Sequence, residues 1–165
     1  MLTKKAVILG LALLLSACGY HLRGAFQLPE NMKSVYVEGS SGALLDQFKQ
    51  TMKTSSSTLS SSRTGAGIVI KIANEEFNRR VVSLSSRGKS NEFELEYRLD
   101  YEFANAKDAL LMARQTVEIR REYYNDQQFV IAKENEENVI RNEMYQQAVH
   151  TILNRARVVL EAGAK

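Results

Sequence analysis

The clearest pattern in the chain is a strict alternation of apolar and charged residues over positions 92–103. One set is apolar: Phe93, Leu95, Tyr97, Leu99, Tyr101 and Phe103. The intervening set is charged: Glu92, Glu94, Glu96, Arg98, Asp100 and Glu102. Because successive side chains of a strand point to opposite faces, this pattern predicts an antiparallel strand with one buried face and one charged face.

Shorter alternating stretches predict three further strands, at 33–38, 68–77 and 110–124. The second of these continues to Val82 if the alternation slips by one residue near Asn78, which indicates a β-bulge at that point. The Ser-rich segment 54–67 and the polar segment 83–91 lack such a pattern and are predicted to be loops, the first of them flexible.

Two stretches repeat their apolar residues at helical spacing. The first spans 43–53 and has one apolar face, made of Leu44, Leu45, Phe48 and Met52. The second is expected to begin at a cap on Asn125 or Asp126 and to end near Gly163. Its apolar stripe consists of Phe129, Ala132, Ile140, Met144, Ala148, Ile152, Ala156 and Val159, with a polar interruption at 133–138.

The order of the predicted elements is β-α-β-β-β-α. Three consecutive strands favour a meander, and each helix has one apolar stripe to bury. An α+β domain over residues 32–162, with a four-stranded, mostly antiparallel sheet and two helices packed on one face, buries every apolar face. The charged face of the sheet is then left to solvent or to a partner.

The first residues have the anatomy of a secretory signal. Lys4 and Lys5 precede an apolar run at 6–15, which is roughly half of the ~20 residues that a spanning helix needs. Small residues then lead to Cys18, the only cysteine, in a pattern that resembles the bacterial lipobox. We therefore predict that the signal peptide 1–17 is cleaved, that Cys18 carries diacylglycerol and an N-acyl chain, and that 18–31 form a tether. An ordinary secreted protein with a chance cysteine is the alternative.

Composition excludes several classes of function. Removing 1–17 leaves 148 residues with 20 basic and 19 acidic side chains. The chain therefore lacks the excess of basic residues that is typical of a nucleic-acid-binding protein. The two histidines, His21 and His150, fall in different segments, and no nucleophile, phosphate-loop or dinucleotide motif is found. We expect no enzyme, no catalytic residue, no metal and no cofactor beyond the covalent lipid. Two carboxylate pairs are expected to be solvated surface: Glu75/Glu76 and Glu136/Glu137.

Two motifs resemble those of the lipopolysaccharide-assembly lipoprotein family LptE. Residues 18–23 read C-G-Y-H-L-R, similar to the C-G-[WY]-H-L-R start of the family. Residues 132–145 resemble its A-K-D-N-E-x-x-x-I-x-x-E-M-Y helix segment, at the same distance from the start. The alternating strand after a basic loop is a weaker match. The chain departs from some relatives at 124–127 and at 104–109, where it lacks a proline.

The resemblance implies the fold already predicted, two helices on a four-stranded sheet. It also implies a non-enzymatic lipoprotein, attached to the outer membrane on the periplasmic side, that plugs the lumen of an LptD-type β-barrel as its 1:1 partner. Such a protein helps the barrel assemble, binds lipopolysaccharide and takes part in its transport to the outer leaflet. The residues carried over as lipopolysaccharide-binding are Arg87 and Lys133; Lys89 is added because it lies near Arg87. Solubilising loop charges are the alternative for Arg87 and Lys89.

Two other hypotheses stay open. One is a free-standing periplasmic lipid- or glycan-binding lipoprotein without a barrel partner. The other is an envelope hydrolase, against which the missing nucleophile and metal motifs speak. A sharper version of the barrel hypothesis has the acidic row of 92–102 meet cationic residues of the polar barrel interior; the alternative is that this row faces solvent.

Overall fold

The computed structural model describes residues 28–29, 32–40, 42–55, 57–86, 88–124 and 130–163, with side chains from residue 135 onward in the last range. Several expectations lie outside these residues. They concern the signal peptide 1–17, Cys18, the tether apart from residues 28–29, and the helix cap at Asn125 or Asp126.

Five strands and two helices follow one another along the described chain: β1 (Ser34–Glu38), α1 (Gly42–Thr54), β2 (Thr58–Leu59), β3 (Ile68–Leu84), β4 (Ser90–Ala104), β5 (Leu110–Tyr124) and α2 (Val130–Gly163). The strands form one sheet in the order β2-β1-β3-β4-β5. β1 is parallel to β2 and β3, whereas β3, β4 and β5 form an antiparallel meander. The α+β class and the meander are therefore confirmed.

The prediction of four strands in the order β-α-β-β-β-α is wrong, because a fifth strand, β2, lies within the segment predicted to be a flexible loop. The Thr58 amide donates to the Lys33 carbonyl at 2.8 Å, and the Ser60 amide donates to the Val35 carbonyl at 2.7 Å. Leu59 packs against the core. Backbone hydrogen bonds define this two-residue strand, and it is too short to carry an alternating pattern.

The slip in β3 lies four residues earlier than the sequence predicts. The register with β4 shifts between Ala73 and Glu76, not near Asn78, and it shifts again between Val81 and Ser83 and between Ser83 and Leu84. Asn74 adopts a φ of 50°, a left-handed conformation that Asn tolerates better than most residues. Its Nδ2 donates to Oδ2 of Asp100 at 2.8 Å. The bulge returns Phe77 to the buried face, where it pairs with Tyr97.

The main core lies between one face of the sheet and the two helices. The buried helix residues are Leu44, Phe48 and Met52 of α1 and Met144, Ala148, Val149, Ile152, Leu153 and Ala156 of α2. They join the buried strand residues in a single cluster, so both helices cover the same face of the sheet. The apolar face of β4 is buried as predicted, apart from Phe93, which is partly exposed.

A small second cluster lies on the opposite face of the sheet. Val69, Ala66 and Ala104 are buried there, with Tyr36 packed against them. Val69 alternates with the core residues Ile68 and Ile70, which places it on the other face of β3. The outer face is therefore apolar at the end of the sheet where β4 turns into β5.

Candidate functional site

The β3–β4 hairpin forms one end of the sheet, and we call residues 79–91 the distal hairpin. Its turn is closed by the Ser85 amide, which donates to the Lys89 carbonyl at 2.7 Å, and by the Gly88 amide, which donates to the Ser85 carbonyl at 2.9 Å. Gly88 has a φ of 72°, which favours glycine. The side chain of Lys89 is exposed at this tip.

Of the three side chains predicted to bind lipopolysaccharide, the described part of the structure places Lys89 alone. Arg87 lies outside the described residues. The backbone of Lys133 is helical in α2, but its side chain is outside the described set. The Glu137 side chain, one helical turn further along α2, is described and is held against the distal half of the sheet.

The carboxylate of Glu137 receives four hydrogen bonds, and we call Glu137 and its three donors the Glu137 clamp. Its Oε2 accepts from the Tyr123 hydroxyl at 2.6 Å and from Arg79 Nη1 at 3.1 Å. Its Oε1 accepts from Arg141 Nε at 3.0 Å and Nη2 at 2.7 Å. Only 15% of the Glu137 side chain is exposed. The clamp joins β3, β5 and α2, and the expectation that this carboxylate is solvated surface is wrong.

The clamp changes the acid–base behaviour of its members. Burial acts to raise the pKa of Glu137, but the hydrogen bonds from Tyr123, Arg141 and Arg79 outweigh it and hold the pKa below its ordinary value. Burial, with the hydrogen bond to Glu137, raises the pKa of Tyr123 to about 12. The carboxylate is therefore ionised and the phenol neutral near neutral pH, as the hydrogen-bond directions require.

Aromatic rings line the sheet next to the clamp. The Arg141 guanidinium lies 4.0 Å from the centre of the Phe77 ring, and that of Arg79 lies 4.9 Å from the centre of the Phe93 ring. The Tyr97 ring lies 5.6 Å from Phe77, and its hydroxyl donates to Glu75 Oε1 at 2.9 Å. Glu75 therefore accepts a hydrogen bond within the chain, although its side chain is exposed.

The outer face of the sheet carries the charged row predicted on β4, and cations of the flanking strands pair with three of its five acids. Arg80 contacts Glu94 at 2.6 Å and Arg120 contacts Glu96 at 3.1 Å. Further along, Glu102 is 3.4 Å from Lys71. Glu94, Glu96 and Glu102 thus have cationic partners within the chain, and the hypothesis that this row meets cations of a barrel interior stays a prediction. The face is polar, and the register adds the acids Glu76, Glu118 and Glu122 of the flanking strands to it.

Hydrogen bonds lower the pKa of two carboxyls on this face. The Arg80 guanidinium holds the pKa of Glu94 below its ordinary value. For Asp100 the donors are the Thr116 hydroxyl at 2.7 Å and the amide of Asn74, and its pKa is lowered as well. Both groups are therefore carboxylates near neutral pH.

The described residues give no sign of a metal site or a membrane-spanning helix. Within them, no three His, Cys, Asp or Glu side chains are grouped as a metal ion would require. Neither described helix has both the length and the apolar character of a membrane crossing.

Two solved structures share this architecture. A lipoprotein B from Nitrosomonas europaea superposes with a TM-score of 0.72 at 25% identity, covering 88% of this chain and 94% of that one. The rare lipoprotein B from Shewanella oneidensis gives a TM-score of 0.63 at 20% identity over 79% of this chain and 98% of its own. The fold thus defines a two-layer α+β domain of a kind found in bacterial lipoproteins.

Sequence comparison makes the assignment more specific. The family model described as "LptE: Lipopolysaccharide-assembly" matches residues 32–156, and the chain belongs to this family. The LPS-assembly lipoprotein LptE of Photorhabdus laumondii is 26% identical over 94% of this chain and 86% of its own length. That of Yersinia enterocolitica is 28% identical over 96% of this chain and 78% of its own. The predicted family is therefore confirmed, and the chain is a lipopolysaccharide-assembly lipoprotein.

Proposed function

We propose that this protein is the 1:1 lipoprotein partner of an LptD-type outer-membrane β-barrel. Anchored through lipid on Cys18, it plugs the barrel lumen with the domain 32–162 and helps the barrel to assemble. It takes part in transporting lipopolysaccharide to the outer leaflet, and it binds that ligand through Arg87, Lys89 and Lys133. It does so without enzymatic chemistry.

The family match over residues 32–156 is the observation that carries this proposal. The two faces of the sheet support it. One face is sealed by the helices, and the other is polar, with ion pairs such as Arg80–Glu94 and Arg120–Glu96 made within the chain. The interior of an outer-membrane barrel is polar and hydrated, so a polar and charged face can lie there in contact with water and polar side chains.

The barrel partnership is tested by purifying the full lipidated chain from outer membranes through a C-terminal tag. The account predicts that an LptD-type barrel co-purifies in equal amount, while a lipoprotein of another family with the same anchor and tag brings none. A chain that reaches the outer membrane without a co-purifying barrel would contradict the plug. Lipopolysaccharide binding by that barrel-free chain would instead favour the free-standing lipid-binding lipoprotein.

The ligand-binding residues are tested by the double variant Arg87→Glu/Lys133→Glu. Arg and Lys bind phosphates through charge-assisted hydrogen bonds, so reversing both charges is expected to weaken lipopolysaccharide binding at least tenfold. The amount of co-purified barrel should stay at the level of the unsubstituted chain. Lys49→Glu/Lys53→Glu, on exposed positions of α1, is the matched charge control. Equal lipopolysaccharide binding by the double variant and the control would refute the assignment of Arg87 and Lys133.

A further inference from the structure

β5 is the last strand of the sheet, and its outer edge has no neighbouring strand among the described residues. From Gln115 to Tyr124 it pairs residue for residue with β4, without a register shift. The backbone carbonyl of Arg120 accepts a hydrogen bond from Nη1 of Arg121 at 3.1 Å, so a side chain of β5 itself occupies this carbonyl. A regular edge of this length presents a row of amides and carbonyls with which another strand can pair.

A groove of about 520 Å³ lies beside this edge, between β5 and α2. Gln115 and Thr116 line it from the strand. Its helical wall is one face of α2, made of four exposed residues at i, i+3, i+4 and i+7: Thr151, Asn154, Arg155 and Val158. One turn earlier on α2, Gln147 accepts from Nη2 of Arg121 at 2.5 Å. This helix face therefore follows β5 from Arg121 to Gln115, and a strand added to β5 would lie along it.

Arg155 gives the groove a positive charge. The groove is lined by no acidic residue among those described, and Arg155 forms no ion pair with a described carboxylate. Arg157, two residues further along, lies 4.0 Å from Glu161. Burial raises the pKa of Tyr101 and the charge of Arg155 acts against that shift, so the guanidinium lies near this residue of the groove. Arg155 is therefore available to an anionic group.

An extended polypeptide segment with a carboxylate side chain fits both features. Its backbone can pair with the edge of β5, and its alternate side chains point to the α2 side, where a carboxylate meets Arg155. A second copy of this chain fits poorly. The side chains of its β5 on that face include no carboxylate: Gln115, Val117, Ile119, Arg121 and Tyr123. A free phosphate would contact Arg155 but would leave the edge unpaired.

We propose that β5 pairs through its outer edge with an extended, acidic segment of the barrel partner, and that Arg155 binds a carboxylate of that segment. The proposal rests on the barrel partnership proposed above, and it names the surface and the mode of pairing. An exposed edge of this length also invites aggregation. Pairing with the barrel's own chain removes that risk.

The first test places a photoreactive amino acid at position 151 of the full lipidated chain, in cells that make the barrel. We expect an adduct with the barrel, in an extended segment that contains Asp or Glu and that mass spectrometry locates. Adding Arg155→Glu should lower the adduct yield about fivefold, because like charges then meet. Lys107→Glu, at an exposed position of the β4–β5 turn, is the matched control and should leave the yield unchanged. Replacing the located carboxylate by Lys should restore the yield of Arg155→Glu.

Hydrogen exchange of the purified barrel complex gives an independent readout. All amides of residues 115–124 should exchange slowly, because both edges of β5 are then paired, whereas an unpaired edge leaves alternate amides open to water. Alternate fast amides in the complex would overturn the proposal, as would adducts with lipid alone or with a second copy of the chain. A barrel that still co-purifies in such a case leaves the plug function standing. If no barrel co-purifies, both proposals fail.

Discussion

The two ends of the sheet are built differently. At the β4–β5 turn, Asn105 Oδ1 accepts from the amides of Lys107 and Ala109, both at 2.9 Å. The carboxylate of Asp108 is held by Arg63 at 2.9 Å and Lys71 at 2.8 Å. The distal hairpin has its own backbone hydrogen bonds, but it leaves two valines, a leucine and a lysine exposed.

The two ends of the sheet therefore differ in which side chains are engaged within the chain. Arg63 belongs to the Ser-rich segment after β2 and bridges Glu38 of β1 to Asp108 of the β4–β5 turn. The second apolar cluster packs below that turn. Arg63, Lys71 and Asp108 at this end are therefore engaged within the chain, whereas Leu84 and Lys89 are exposed at the distal end.

The largest effect is expected at Gly39, which we compare with Gly88 because both have a positive φ but differ in their surroundings. Gly39 has a φ of 80°, and a Cβ on it would lie 2.2 Å from the Ile72 carbonyl oxygen. Gly88, in the distal turn, has a φ of 72° and no atom within 4 Å of its Cβ position. Gly39→Ala should lower the free energy of unfolding by about 3 kcal/mol or more, because backbone must move in addition to the strain.

Gly88→Ala, measured beside it by urea unfolding, should cost only about 1 kcal/mol, the strain of an L-residue in the left-handed region. Similar losses for the two variants would contradict the contrast between a crowded β1 end and an open distal turn.

The Glu137 clamp should give the next largest effect. Glu137→Ala leaves the Tyr123 hydroxyl and two guanidinium groups without their acceptor, and we expect a loss of about 2–3 kcal/mol in the free energy of unfolding. Glu143→Ala, at an exposed position of the same helix, should stay within about 0.5 kcal/mol. Equal effects would mean that the clamp does not hold α2 to the sheet.

The pH dependence tests the same cluster. The pKa of Glu137 is lowered by folding, so its contribution is present above the unfolded value of about 4.3 and is lost as pH falls through the folded pKa. The difference in unfolding free energy between the unsubstituted chain and Glu137→Gln should therefore shrink below about pH 4. A difference that stays constant from pH 7 to pH 3 would refute this.

The smallest effect is expected at the β4–β5 turn. Asp108 has a φ of 68°, which Asn also tolerates, so Asp108→Asn removes the charge and keeps the turn. Its ion pairs are exposed, so the melting temperature should fall less than in Glu137→Ala, and the fall should shrink in 1 M salt, where charges are screened within about 3 Å. A fall in melting temperature larger than that of Glu137→Ala, or a fall that does not change with salt, would contradict the view that Asp108 acts through exposed ion pairs.

The sequence predicted the fold best where a single face is buried. The alternation over 92–103 matches β4 because every second side chain meets the core, and the bounds of β5 agree for the same reason. β2 could not be predicted, because two backbone hydrogen bonds define it. The bulge was misplaced because its position depends on Asn74 contacting Asp100, 26 residues away.

Less of the candidate site than of the fold could be predicted from the sequence. The basic residues of 79–91 are apparent in the sequence, and Lys89 is exposed there as expected of a loop residue. The Glu137 clamp was missed because Arg79 and Tyr123 lie 58 and 14 residues from Glu137 and meet it only through the register of the sheet. The one local sign was the spacing of Glu137 and Arg141, which favours an ion pair on a helix.

The most direct test of this difference between the two ends of the sheet is photocrosslinking in living cells from two similarly exposed leucines. Leu84 stands at the distal hairpin, and Leu110 at the β4–β5 end. With a photoreactive amino acid at each position in turn, the account predicts a lipopolysaccharide adduct from position 84 and little or none from position 110. Equal adducts from both positions, or an adduct from position 110 alone, would contradict it.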